Sequence, residues 1–173
     1  MNKVIIATML ASTVSFGVNA ADQGHGVVNF KGIVIDAPCG IAPESADQTI
    51  DFGQISKSHL ESGGISIKKD LNIKLVNCDV SGADAKKKVQ VTFTGATVSG
   101  HVDELGTAGG TGTAVVISGQ DGRLVSFGTA GTAQSLKEGD NTLHYSSWVK
   151  KASGGSVKEG AFTAVADFNL TYN

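Results

Sequence analysis

The chain has 173 residues, is 40% hydrophobic and 17% charged, and carries a formal net charge of −2. So mild a balance gives no electrostatic reason to expect nucleic acid or an anionic membrane as partner. Its length suits one domain, since domains most often run to about 100–150 residues.

Residues 1–20 read as an export signal. Lys3 forms a positive start, VIIATMLASTVSFGV an apolar stretch, and Val18-Asn19-Ala20 a small-residue cleavage site. The apolar stretch is short for a membrane span. Cleavage after Ala20 leaves 173 − 20 = 153 residues and, with Lys3 gone, a charge of −3. The mature chain then opens with an alternating segment in which Gly26, Val28, Phe30, Gly32 and Val34 form one series, and Val27, Asn29, Lys31, Ile33 and Ile35 the other. Gly32 sits oddly in an apolar series, because an interior strand glycine has no side chain to pack. Next comes DAPCGIAPES, which holds both prolines and the first of two cysteines. In an exported chain Cys39 and Cys78 form one disulfide by default, worth roughly 4 kcal/mol for a loop of this size.

Strand signals then recur between glycine-rich breaks. They fall at 48–55, 70–78, 88–95, 113–119, 123–128, 141–151 and 160–173, with one helical turn expected at 56–62. Leu71, Ile73 and Leu75 should share a face, as should Val89, Val91 and Phe93, and Leu143, Tyr145, Ser147 and Val149. The stretches 81–88, 103–112 and 151–160 read as loops, and 103–112, 128–135 and 151–160 as exposed variable sites. Many short strands at this spacing predict an all-β sandwich.

The residues carry no catalytic, cofactor or metal signature. His25, His59, His101 and His144 lie at no ligand spacing to one another or to a cysteine. GGTGT at 109–113 lacks the Lys-Ser/Thr of a phosphate loop, and no G-x-S-x-G elbow occurs. Asp103 and Glu104 read as an acidic pair in a loop, and Lys86-Lys87-Lys88 as a solvated turn. The expectation is a non-enzyme.

The last strand alternates Phe162, Ala164, Ala166, Phe168, Leu170 and Tyr172 against polar neighbours up to Asn173. An apolar strand at an open sheet edge recruits other chains. Here the sequence resembles the pilins assembled by the chaperone–usher pathway, closest to the major rod subunits of P-pilus type. The matching elements are the signal, the cysteine pair, VVNFKGIVIDAPC, DFGQ (51–54), LVNC (75–78), FTG (93–95), GGTGTAVVI and EGAFTAVADFNLTYN, with Gly160 fourteenth from the end and Tyr172 penultimate. Only ADQGH precedes Gly26 after the cleavage site, fewer residues than precede the donor strand in the rod pilins it resembles.

The resemblance implies an incomplete immunoglobulin-like sandwich lacking its final strand (residues 35–173), with an N-terminal donor-strand extension (21–34). Gly26, Val28, Phe30, Gly32 and Val34 would be the donor residues, Gly32 lying close to the groove floor. Gly160, Phe162, Ala164, Ala166, Phe168, Leu170, Tyr172 and Asn173 would edge the groove and meet the chaperone. The implied partners are neighbouring pilins, a periplasmic chaperone and an outer-membrane usher, with no nucleotide and no nucleic acid. The implied product is a cell-surface fimbria supporting adhesion, with this chain as its major subunit. The alternatives are a minor adaptor or terminator subunit, and a self-contained secreted binding module or small hydrolase.

Overall fold

A computed structural model describes residues 26–83 and 85–173. The signal reading, residues 21–25 and His25 fall outside them. The chain divides into two units after Val34, and the regular secondary structure of Ile35–Asn173 is almost entirely strand, with two short helices.

Its elements in order are β1 (Gly40–Ile41), α1 (Pro43–Ala46), α2 (Lys57–Glu61), β2 (Lys69–Cys78), β3 (Lys88–Gly95), β4 (Thr97–Val98), β5 (His101–Gly106), β6 (Thr113–Gly119), β7 (Gln134–Ser135), β8 (Gly139–Lys151) and β9 (Ala166–Tyr172). One sheet runs β1-β2-β8-β6-β5-β4 and the other β7-β3-β9, antiparallel throughout. Period-2 patterning places the core as expected: Ile73 and Leu75 of β2 and Leu143, Tyr145 and Val149 of β8 are buried, and so are Val89, Val91 and Phe93 of β3. The Phe93 and Tyr145 rings meet edge to face at 5.0 Å between centroids.

The cysteines are joined, with Cys39 Sγ bonded to Cys78 Sγ. The bond anchors the start of the sandwich, where Gly40 pairs with Val76 and Ile41 with Leu75. Pro43 opens α1, where its missing N–H costs nothing. Ser56 caps α2 by accepting from His59 N–H, so the helical turn expected at 56–62 is present.

Four expectations need correction. Residues 48–55 form no strand; Phe52 and Ile55 pack on the core from an irregular segment. Residues 123–128 form only a bridge from Leu124 to Ser118, because the chain then crosses between sheets: Phe127 N–H donates to Val102 O and Gly128 N–H to Phe93 O. The supposed loop 103–112 begins as strand β5, with Leu105 paired to Val115. The loops 103–112 and 151–160 are also not simply exposed, since Glu104, Thr111, Ala152 and Val157 are buried. Residues 128–135 do lie mostly at the surface.

Candidate functional site

The apolar C-terminal strand lies at the margin of the smaller sheet. β9 pairs with β3 from Ala166↔Gly95 to Tyr172↔Val89, and among the described residues no strand pairs with its other edge. Asn173 exchanges two backbone hydrogen bonds with Lys88, each 2.9 Å. In an antiparallel ladder such pairs alternate, so the N–H and C=O groups of Ala166, Phe168, Leu170 and Tyr172 point toward the open edge.

The side chains show the same incompleteness. Phe162, Ala164, Ala166, Phe168, Leu170 and Tyr172 all pack against the core, yet each is only partly buried, whereas the core-facing residues of β3 are fully buried. Phe168 lies 6.3 Å from Phe93, centroid to centroid, in a tilted arrangement. Burial is still enough to push the Tyr172 phenol up. Beside β9, partly covered apolar side chains thus adjoin an edge with which no described strand pairs.

Gly160, Phe162 and Ala164 precede β9 instead of lying in it. The regular ladder starts at Ala166 because β3 ends at Gly95. The preceding stretch is held from elsewhere, by the Ala108↔Thr163 bridge. Gly160 has φ +146°, which favours glycine, and a Cβ there would stand an ordinary 3.6 Å from Thr111 Cγ2. Asn173 donates from Nδ2 to Gln90 Oε1 at 2.9 Å.

The N-terminal residues are a different case. Residues 26–34 form neither helix nor strand, and Val28, Phe30 and Val34 are exposed, Phe30 by 91%. Among the described residues, nothing lies within 4 Å of where a Cβ would stand at Gly26 or Gly32. Val27 and Ile33, on the opposite series, are also exposed. Apolar side chains of both series in 26–34 are therefore exposed.

The sequence reading missed one constellation. Glu104 on β5 is 2% exposed, and Lys150 Nζ on β8 donates to its Oε1 at 2.6 Å. Ser153 N–H donates to Oε2 at 2.8 Å, and the Ser153 hydroxyl to Oε1. Burial pushes this carboxyl up, but the Lys150 ammonium and the Ser153 donors outweigh it and bring it down to about 2. The group ties β8 and the turn after it to β5 of the larger sheet. Beside it, Ala152 N–H donates to Gly112 O and Lys158 N–H to Thr111 O, so 107–113 and 151–163 are docked together. The glycines of GGTGT permit that approach: a Cβ at Gly109 would fall 2.2 Å from Ala161 O, and one at Gly112 2.1 Å from Ser156 O.

Among the described residues, no three His, Cys, Asp or Glu side chains come together as a metal site. A cleft of about 430 Å³ lies under the 119–132 connection, lined by Val91, Val125 and Tyr145 with Asp121 and Gln134 at its mouth. In that lining, Asp121 accepts from Thr132 and from Arg123 N–H, and Gln134 donates to the Tyr145 hydroxyl. Nothing there resembles a set of converging reactive groups.

Comparison with known proteins agrees with this geometry. The family model described as "Fimbrial protein" matches residues 28–173. The Pap fimbrial major pilin protein of Escherichia coli is 53% identical over 183 residues, covering 99% of each chain. Fimbria A protein of Serratia marcescens is 45% identical over 174 residues, covering 99% of this chain and 98% of that one. Among solved structures, the P pilus rod subunit PapA superposes with a TM-score of 0.75 at 54% identity, over 79% of this chain and 100% of that one. A chaperone–usher pilus solved to explain rod uncoiling gives 0.82 at 57% identity, over 87% of this chain and 97% of that one.

Proposed function

The chain belongs to the fimbrial protein family, and from that premise we propose that it is a structural subunit, the major pilin, of a chaperone–usher fimbria at the cell surface. Its role is mechanical and not catalytic. Each subunit gives residues 21–34 to a neighbour and receives the equivalent segment of another copy beside β9. A periplasmic chaperone occupies that edge first, and an outer-membrane usher is the site of exchange. Addition of a strand to an open sheet edge is a general recognition mode, with chaperone–pilin complexes among its known examples.

The observation that carries this reading is the state of β9. Its inward side chains pack on the core but stay partly covered, and among the described residues no strand pairs with its outer edge. A donated strand supplies both deficits. Val28, Phe30 and Val34 would each contribute roughly 1.5–3 kcal/mol on burial, and each ladder hydrogen bond about 1 kcal/mol. Gly32 would take the position where the inserted backbone lies closest to the groove floor. Completion of an unfinished sandwich releases free energy, so assembly by this route needs no nucleotide.

The test is the polymer itself. Fibres sheared from the surface should run in SDS as a ladder of multimers that collapses to monomer on heating in denaturant. Deletion of residues 21–34 should leave a subunit that still binds the chaperone and contributes nothing to the ladder. A purified mature chain that is stable and monomeric without chaperone, and gives no ladder, overturns the proposal.

A further inference from the structure

The strand-donation reading concerns the even-numbered residues that enter the groove. The odd-numbered ones face outward from the joint, and they carry more information than solvation requires. On β9 and its approach they are Val165, Asp167, Asn169 and Thr171, all exposed, with Val165 75% exposed. On the N-terminal segment they are Val27, Asn29, Lys31 and Ile33, also exposed. Among the described residues neither Lys31 nor Asp167 forms an ion pair.

Side chains on one face of adjacent strands stand next to each other, so donated and accepting strands must match on this face as well. An antiparallel alignment with Lys31 opposite Asp167 places Ile33 opposite Val165, Asn29 opposite Asn169 and Val27 opposite Thr171. It sets Phe30 beside Phe168 and Gly32 beside Ala166 on the inner face, and uses the whole of 26–34 against 164–172. A two-residue slip one way puts Lys31 against Val165 and Asn29 against Asp167. A slip the other way puts Ile33 against Asp167. The parallel alignment that keeps Lys31 with Asp167 sets Ile33 against Asn169 and Asn29 against Val165. One register alone satisfies charge and apolar contact together.

The backbone favours the same pairing. Ala166, Phe168, Leu170 and Tyr172 direct their hydrogen-bonding groups to the open edge, as the Asn173–Lys88 exchange implies. In the antiparallel joint they would form the hydrogen-bonded pairs, which leaves Lys31–Asp167 and Ile33–Val165 as non-hydrogen-bonded pairs. Those bring side chains closest, with Cα atoms about 4.5 Å apart.

We propose that Lys31 and Ile33 of one copy pair with Asp167 and Val165 of the next on the outer face of an antiparallel joint, and that this pairing sets the register of insertion. The inference rests on strand donation between copies, and its partner is a second copy of this chain.

Paired cysteines in the full-length chain test it, since non-hydrogen-bonded neighbours lie within disulfide reach. Lys31→Cys with Asp167→Cys should yield a ladder that survives boiling in SDS and collapses on reduction. Lys31→Cys with Val165→Cys, or with Asn169→Cys, should not. A covalent ladder from either slipped pair, or fibres with none from any pair, overturns the register. Absence of fibres from the unsubstituted chain would instead defeat strand donation itself. Charge reversal is the second arm and does not depend on cysteine chemistry. Lys31→Asp and Asp167→Lys should each speed ladder dissociation on the order of two- to five-fold, and the two together should restore it. An additive loss in the double variant overturns the pairing.

Discussion

Lys150 reaches a carboxylate almost wholly withdrawn from water: its ammonium lies 2.6 Å from Oε1 of Glu104, a side chain 2% exposed. The pair joins β8 to β5, and Ser153 extends it into the turn that leads toward β9. Its two members are 46 residues apart in sequence.

This pair should make the subunit acid-sensitive at low pH. The Glu104 carboxyl is held down to about 2 in the folded chain, below its ordinary 4.5. A lowered folded pKa means that the stabilisation is fully present above about 4.5 and is lost as pH falls toward 2. Chaperone-bound or polymerised subunit should therefore lose stability across that window, measured by thermal unfolding at stepped pH. Glu104→Gln should flatten the dependence there. Lys150→Met, which strips a buried carboxylate of its cation, should cost on the order of 3 kcal/mol at neutral pH. An unchanged acid profile in Glu104→Gln would show that the pair does not govern it.

Gly112 should not tolerate a methyl group. Its φ is +66°, and a Cβ would meet Ser156 O at 2.1 Å. Gly112→Ala should destabilise the subunit by more than the ~1 kcal/mol expected of strain alone. Gly110→Ala is the control, since that position has φ +70° and open space around it. Equal melting shifts in the two variants would mean that docking of 107–113 on 151–163 contributes nothing.

Gly32 should behave in the opposite way. Among the described residues nothing lies where a side chain at that position would begin, so Gly32→Leu should leave the chaperone-bound subunit as stable as before. Fibre yield should fall sharply, because the added bulk enters the neighbour's groove. A normal SDS ladder from this variant would refute the close-contact role.

Loss of the disulfide should be felt by the body and not by the joint. Cys39 and Cys78 are 39 residues apart in sequence, and replacing both with serine should cost roughly 4 kcal/mol. The expected readout is reduced yield of folded subunit, with the ladder formed by surviving material dissociating at its usual temperature. A joint that weakens in proportion would place the bond in the insertion energetics.

Much of the sandwich was legible because period-2 alternation survives wherever a strand has one wet face. Ile73 and Leu75, Val89 to Phe93, and Leu143 to Val149 were readable for that reason. Strand β5 was not. DELG at its end, read as the start of the loop 103–112, looks polar, since Glu104 next to Asp103 suggests solvent, and only Lys150 and Ser153, brought from far along the chain, make burial affordable. The segment 123–128 failed for the opposite reason. RLVSFG alternates like a strand, but its backbone groups serve two sheets in turn.

The division at the two ends of the chain is similar. Local pattern alone determined that 26–34 and 162–172 are alternating apolar segments and that Gly32 interrupts the first, while the export signal and a count of two cysteines implied that Cys39 and Cys78 would be joined. A side-chain period of two is a property of the backbone and needs no tertiary context. Only the folded structure decided that, among the described residues, β9 pairs with β3 on one side and with no strand on the other, that its inward residues stay partly covered, and that nothing stands where a Gly32 side chain would begin. Burial and edge pairing depend on which strands arrive beside one another, and that order is set by contacts between residues distant in sequence.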